Sequence, residues 1–239
     1  GKRIVFNLKR WPTVEEATSP EWHLLLFNHN WPSVIVSEPN LNYHTPWQLM
    51  FYTGIAIETY DRDNRLDEAG ELYRRLVSSD YRLIPVAVSY LDSVEAIQAY
   101  SGAVTYVPAN RISEIKDNIR TFGGSGTSYS STGPVVSFKY ASANHAAMAG
   151  IGEEIFTNEK FALEVDVRAD AELQEITLYR DAEVYQRFYP HAAQFKRTIF
   201  LTKDANHAFT VEATDVNGKR AISNSARTGS PYHNFTMCT

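Results

Sequence analysis

Phe161-Ala162-Leu163-Glu164-Val165-Asp166-Val167-Arg168 sets apolar and charged residues in alternation. Side chains of an extended chain point in turn to opposite faces, so this octet reads as a strand with one face on a core and the other in water. Outward from it, residues 135–140, 175–180, 184–189, 197–202, 208–214 and 220–223 share the strand composition, rich in β-branched and aromatic residues. Asp215-Val216-Asn217-Gly218-Lys219 carries an Asn-Gly hairpin signal between two of these runs, and Arg180-Asp181-Ala182-Glu183 reads as a second hairpin. About seven short strands over about 110 residues predict an immunoglobulin-like β-sandwich.

Upstream the texture differs. His23-Leu24-Leu25-Leu26-Phe27, Gly54-Ile55-Ala56-Ile57-Glu58-Thr59-Tyr60 and Leu83-Ile84-Pro85-Val86-Ala87-Val88 are apolar runs suited to strands buried on both faces of a parallel sheet. Residues 46–52 read as a short helix. Leu66, Ala69, Leu72, Tyr73 and Leu76 fall on one face of a longer helix, with Asp63 or Asn64 as its cap. Ile112, Ile115, Ile119 and Phe122 make a second stripe, capped by Asn110 and stopped at Gly123-Gly124. Alternating strands and helices predict βα units and a parallel sheet. The Gly/Ser-rich run at 123–128 then divides an α/β domain over 1–125 from a β domain over 126–239.

Composition narrows the function. The 239 residues are 44% hydrophobic, enough for packed cores, and the net charge is 23 − 28 = −5. With no long Lys/Arg cluster, binding of nucleic acid through its phosphates is not expected. No run of about 18 apolar residues suggests a membrane span. One cysteine, Cys238, excludes an intramolecular disulfide and a cysteine-rich zinc module. Gly123-Gly124-Ser125-Gly126 lacks the Lys-Ser/Thr of a phosphate loop, so no cofactor-binding residue is expected there, and the lack of a Gly-x-Ser-x-Gly elbow weakens a serine hydrolase reading. Asn234-Phe235-Thr236 is a glycosylation sequon, meaningful in a secretory setting.

Sites in α/β folds gather at the C-terminal ends of parallel strands. Three predicted strands end in polar residues, at His29, at Glu58 and at Ser89-Tyr90-Leu91-Asp92. Converging, His29, Glu58 and Asp92 would make a set for a divalent metal. Apart, they read as a loop histidine, a surface or cap carboxylate, and the N-cap of a helix over 93–100. Asp61-Arg62-Asp63-Asn64 with Asp67-Glu68 lacks the alternation and central glycine of a calcium loop, and reads as acidic capping of the helix that follows.

The order of these pieces resembles the last third of a metal-dependent hydrolase of the PHP (polymerase and histidinol phosphatase) superfamily. The resemblance runs through Gly54–Tyr60, the helix with Leu72 and Leu76, residues 83–89 and 104–107, the helix with Ile115 and Ile119, and Thr127-Ser128-Tyr129-Ser130-Ser131-Thr132-Gly133-Pro134. A similar Ser/Thr-Gly-Pro segment leads from barrel to β domain in secreted-type members, which implies an extracellular or periplasmic location. The resemblance implies a partial (β/α) barrel, or an open parallel sheet, followed by the immunoglobulin-like sandwich. It places a metal-binding His at His29 and a carboxylate at Glu58. The family's closing Asp-x-His would fall at Tyr90-Leu91-Asp92, where Tyr90 replaces the Asp and Asp92 the His; the opening His-x-His is absent. At most one divalent metal, Zn or Mn, is then expected, and no catalytic residue can be named.

The resemblance therefore implies a degenerate, non-catalytic structural or binding module. The alternative is a metal-dependent hydrolase of phosphoester or carbamate-type bonds with a reduced metal site, restored if a longer native chain carries the His-x-His before Gly1. Three barrel strands would leave an open edge of unpaired backbone groups. A homo-oligomer or a partner chain completing the α/β sheet is expected to cover it, or else the N-terminal segment. Trp11, Trp22, Trp31 and Trp47 crowd the first 47 residues, as a contact surface or a core would.

Overall fold

The computed structural model describes residues 3–6, 13, 15, 33–36, 53–60, 67–79, 83–89, 91, 93–107, 111, 129–142, 148–150, 154–156, 160–201 and 207–229. The chain is β-rich. A four-stranded sheet has the order β1 (Arg3–Phe6), β2 (Ser33–Val36), β3 (Thr53–Tyr60), β4 (Leu83–Ala87). Here β1 is antiparallel to β2, while β2, β3 and β4 run parallel. Two helices are described, α1 (Asp67–Ser78) and α2 (Val94–Ala99). The remaining strands are β5 (Val104–Tyr106), β6 (Tyr129–Ser131), β7 (Val135–Ser142), β8 (Met148–Gly150), β9 (Glu154–Phe156), β10 (Phe161–Arg180), β11 (Glu183–Phe188), β12 (Ala192–Leu201), β13 (His207–Asp215), β14 (Arg220–Ser223) and β15 (Ala226–Gly229). They form one 11-stranded sheet with the path β5-β6-β14-β13-β10-β7-β8. Its pairings are antiparallel apart from β15 with β9.

Among the described residues this corrects the expected partial (β/α) barrel or open parallel sheet. The first sheet is mixed, with β1 antiparallel to three parallel strands, and most strands belong to one curled, largely antiparallel sheet, a β-rich arrangement consistent with a β-sandwich. The βα reading fails after β4. The helix that follows, α2, buries no residue and so covers no sheet, and β5 beyond it joins the antiparallel sheet by pairing with β6. The separate strands expected at 161–168 and 175–180 are joined through residues 169–174. Alternation in fact persists through them: Arg168, Asp170, Glu172 and Gln174 are exposed, while Ala169 and Ala171 are half-buried. One strand of 20 residues results. Its first half pairs with β7, from Phe161↔Ser142 to Arg168↔Val135, and its second half pairs with β13, from Leu173↔Asp215 to Arg180↔Phe209. Register shifts between Arg168 and Leu173 bend β10, so one strand serves both halves of a curled sheet. Leu163, Val165, Val167, Leu173, Ile176 and Leu178 line the concave side with Tyr140, Phe209 and Val211.

Strand β4 meets the second sheet through side-chain hydroxyls. Ala87 N donates to Thr105 Oγ1 at 2.8 Å, and Ser130 Oγ donates to Pro85 O at 2.9 Å. Hydroxyls from β5 and β6 thus take the place of a further strand, and at the other end of the sheet the N-terminal β1 covers β2.

Helix α1 ties the two sheets together. Its apolar stripe, Leu72, Tyr73, Leu76 and Val77, packs on Ile57, Tyr60 and Leu83 from one side and on Ala208 and Ile222 from the other. Asp67 and Glu68 sit in its first turn, where negative charge is favoured. Arg74 forms a buried ion pair with Glu212 of β13 and lies 4.2 Å from the Tyr179 ring. Arg220 bonds Asp67 at 3.0 Å, and the Arg227 guanidinium reaches the Val77 carbonyl. The predicted Asn-Gly hairpin is present: Gly218 has φ +75°, and Asp215 Oδ1 accepts from Asn217 N and Lys219 N at 2.9 Å each.

Three tyrosines of these cores bear on pH. Burial holds the Tyr73 and Tyr140 phenols well above the ordinary tyrosine range, with Arg227 opposing in both cases. Tyr129, stacked on Tyr106 at 4.6 Å, is pushed up to about 12 by burial and by that neighbour. Each raised value favours the neutral phenol of the folded state. The stabilisation is complete below the unfolded value of about 10 and is lost as pH rises through the folded values. Urea unfolding at pH 8 to 11.5 should show stability falling above about pH 10, with the fall reduced in the Tyr73→Phe/Tyr140→Phe double variant. Ordinary tyrosinate titration of all residues in the folded protein would contradict this.

Candidate binding edge and hairpin-tip pocket

Of the three residues predicted to bind metal, the structure places one. Glu58 lies on β3, fully buried, beside Thr59 and Tyr60 and across from Val86 of β4. His29 and Asp92 lie outside the described residues, as do the four tryptophans, the predicted helical stripe Ile112, Ile115, Ile119 and Phe122, and the caps Asp63 and Asn64. Ser93, one residue past Asp92, caps α2, its Oγ accepting from Ala96 N at 3.0 Å. Among the described residues no three His, Cys, Asp or Glu side chains gather as a metal site would require. An enclosed carboxylate such as Glu58 suits a metal ligand chemically.

The hairpin read at Arg180-Asp181-Ala182-Glu183 is present, and it organises a pocket. Asp181 takes a left-handed φ of +56°, which Asp tolerates better than most residues. Its backbone N donates to Ala208 O, and its side chain reaches across the same rung. Oδ1 accepts from Ala208 N at 3.0 Å, and Oδ2 lies 2.7 Å from His207 Nδ1. The carboxylate can only accept, so Nδ1 carries the proton in this contact. Ser78, Arg180, Asp181, Glu183, Tyr185 and His207 line an open cavity of about 360 Å³ at the hairpin tip. The Arg180 guanidinium lies 5.2 Å from the Tyr185 ring, which meets Phe209 edge-on.

Ser, His and Asp around one cavity invite comparison with a hydrolytic triad. The hydrogen bonds argue for a structural role instead. Ser78 Oγ donates to Arg75 O at 2.7 Å, closing the end of α1, and Asp181 spends both oxygens on the turn. The arrangement locks the hairpin to β13.

The larger feature is an edge. Past the tip, β11 runs back along the second half of β10, from Arg180↔Glu183 to Ile176↔Phe188, and β12 continues along the first half, from Leu173↔Ala192 to Phe161↔Leu201. They flank β10 as two successive strands, separated by Tyr189-Pro190-His191, where His191 takes a left-handed φ of +50°. Among the described residues neither pairs with anything else. Val184 (46% exposed), Tyr189 (56%) and Phe200 (83%) stand in solvent along it. Phe195, Ile199 and Leu201 turn toward the core, while Lys196, Thr198 and Phe200 occupy the other face, across from Asp166, Glu164 and Ala162.

The Asp181 turn carries a local sequence signal, and His207 carries none. Their pairing, 26 residues apart, follows only from the β10–β13 register. No family model matches this chain, and no curated protein is significantly similar to it. Among the described residues no helix is long and apolar enough to cross a membrane.

Asp181→Ala should cost about 2 kcal/mol in urea unfolding, from the lost acceptor and the strained φ. Asp181→Asn should cost less, since Asn tolerates the left-handed region and its amide oxygen still accepts from Ala208 N. Equal losses for both would show that neither contact matters.

Proposed function

We propose that this chain is a non-catalytic binding module that receives an extended segment of a partner as an added strand along β11 and β12. One observation supports the reading: two strands, Glu183–Phe188 and Ala192–Leu201, each with a strand on one side only among the described residues, separated by Tyr189-Pro190-His191 and carrying large apolar side chains in water. Strand addition suits such an edge, because main-chain hydrogen bonds supply affinity and alternate side chains supply selectivity. An edge of this length is a liability unless blunted or used. Blunting is partial here. A register irregularity at Leu178/Tyr179 and the cations Arg187, Lys196 and Arg197 interrupt it, yet Ala192–Leu201 stays in register with β10 from Gln194 onward. The curled sheet behind it supplies a rigid frame.

Of the residues named for the hydrolase alternative, Glu58 alone is among the described residues, and its sheet is not a barrel, whereas the open edge favours the binding reading.

The test uses end-blocked eight-residue β-forming peptides of acidic, neutral and basic composition, with amide chemical shifts of the full chain as the readout. At least one should bind, with its shifts concentrated in Ala192–Leu201. N-methylating alternate amides of that peptide should then abolish binding in one phase and spare it in the other, because only every second amide of an added strand faces β12. Shifts centred elsewhere, or equal loss in both phases, would refute strand addition.

A further inference from the structure

The charge pattern of this edge identifies the chemistry of its occupant; the inference rests on the strand-addition reading above. From Arg187 to Leu201 the chain carries three Lys/Arg residues, Arg187, Lys196 and Arg197, and no Asp or Glu. Arg187 is met from within the sheet, its Nε 3.4 Å from Glu175 Oε1. Lys196 stands across from Asp166, but both Asp166 oxygens are held by Arg168 at 3.1 Å. Among the described residues neither Lys196 nor Arg197 has a carboxylate within ion-pair distance, and the only ring contact of Arg197 is the Phe188 face at 5.9 Å. Adjacent residues on a strand project to opposite faces, so this pair presents one cation above the sheet and one below it at the same point of the edge. Phe200 lies on the Lys196 face, two rungs away, and is 83% exposed.

We propose that the β12 edge takes an acidic extended segment of another chain, with consecutive carboxylates opposite Lys196 and Arg197 and an apolar side chain opposite Phe200. A second copy of this edge does not fit. Its Arg187–Leu201 run has no carboxylate to offer and would bring two further cations. Like charges directly opposite destabilise a strand pair, and opposite charges stabilise it. An antiparallel partner places its apolar residue three and four positions before the two acids; a parallel partner places it three and four positions after them.

A peptide with the palindromic core Phe-Thr-Val-Glu-Glu-Val-Thr-Phe satisfies both orientations. With the full chain at low salt, it should bind about tenfold tighter than the same peptide with Gln for Glu, and its affinity should fall as salt is raised. Lys196→Glu/Arg197→Glu, a change at two exposed positions, should reverse the order in favour of the peptide with Lys for Glu. If acidic and Gln peptides bind β12 equally, the charge inference falls while strand addition stands. If none of the peptides shifts β12 amides, both fall. A concentration-dependent dimer abolished by Phe200→Lys would overturn the proposal in favour of a second copy.

Discussion

The structure depends on β10 being one strand. Leu163, Val165, Val167, Leu173, Ile176 and Leu178 keep facing the same core while the chain bends between Arg168 and Leu173. On one side the bend hands β10 from β7 to β13. On the other β11 lies along its second half and β12 along its first, with a break at Tyr189-Pro190-His191 between them. Were β10 broken at the polar stretch, each half would belong to a small sheet with its own edges, and no long shared edge would exist. Burial along most of its length and the antiparallel ladders on both flanks are what hold the curl.

Helix α1 supplies the second constraint. It buries Leu72, Tyr73, Leu76 and Val77 between the four-stranded sheet and the β13–β14 face, so both sheets share one core. The Arg74–Glu212 pair inside that contact is costly to break and worth little as net stability, because desolvation offsets much of its attraction. Its clearer effect is on orientation: it fixes the helix against β13, and Ser78 at the end of that helix becomes a wall of the hairpin-tip pocket.

Much of this was legible in the residues. The alternation at Leu163–Val167, the Asn-Gly turn, the Asp181-Ala182 turn and the apolar stripe of α1 each carry their signal within a few positions, and each is present. What was not legible depends on partners far along the chain. Asp170, Glu172 and Gln174 are as polar as a loop and fall at positions of β10 without a ladder partner, so only the pairings before and after them mark the stretch as one strand. The run after Val94 has helical character but no buried face, so its presence said nothing about a parallel sheet. The order of apolar runs resembled a metal-dependent barrel because short strands and helices recur in many folds. Of the set His29, Glu58 and Asp92, Glu58 alone can be placed, and nothing in the sequence marked β12 as an edge, since edge and centre differ in neighbours more than in composition.

The most direct test of the account is amide hydrogen exchange of the isolated chain at single-residue resolution. An open edge requires β12 amides from Gln194 to Leu201 to alternate, those facing β10 protected and those facing away exchanging near the rate of unstructured chain. In the same sample every amide of Leu163–Val167 should be protected, because β10 is flanked on both sides. Uniform protection along β12 would mean that another segment already covers the edge, and would contradict the account.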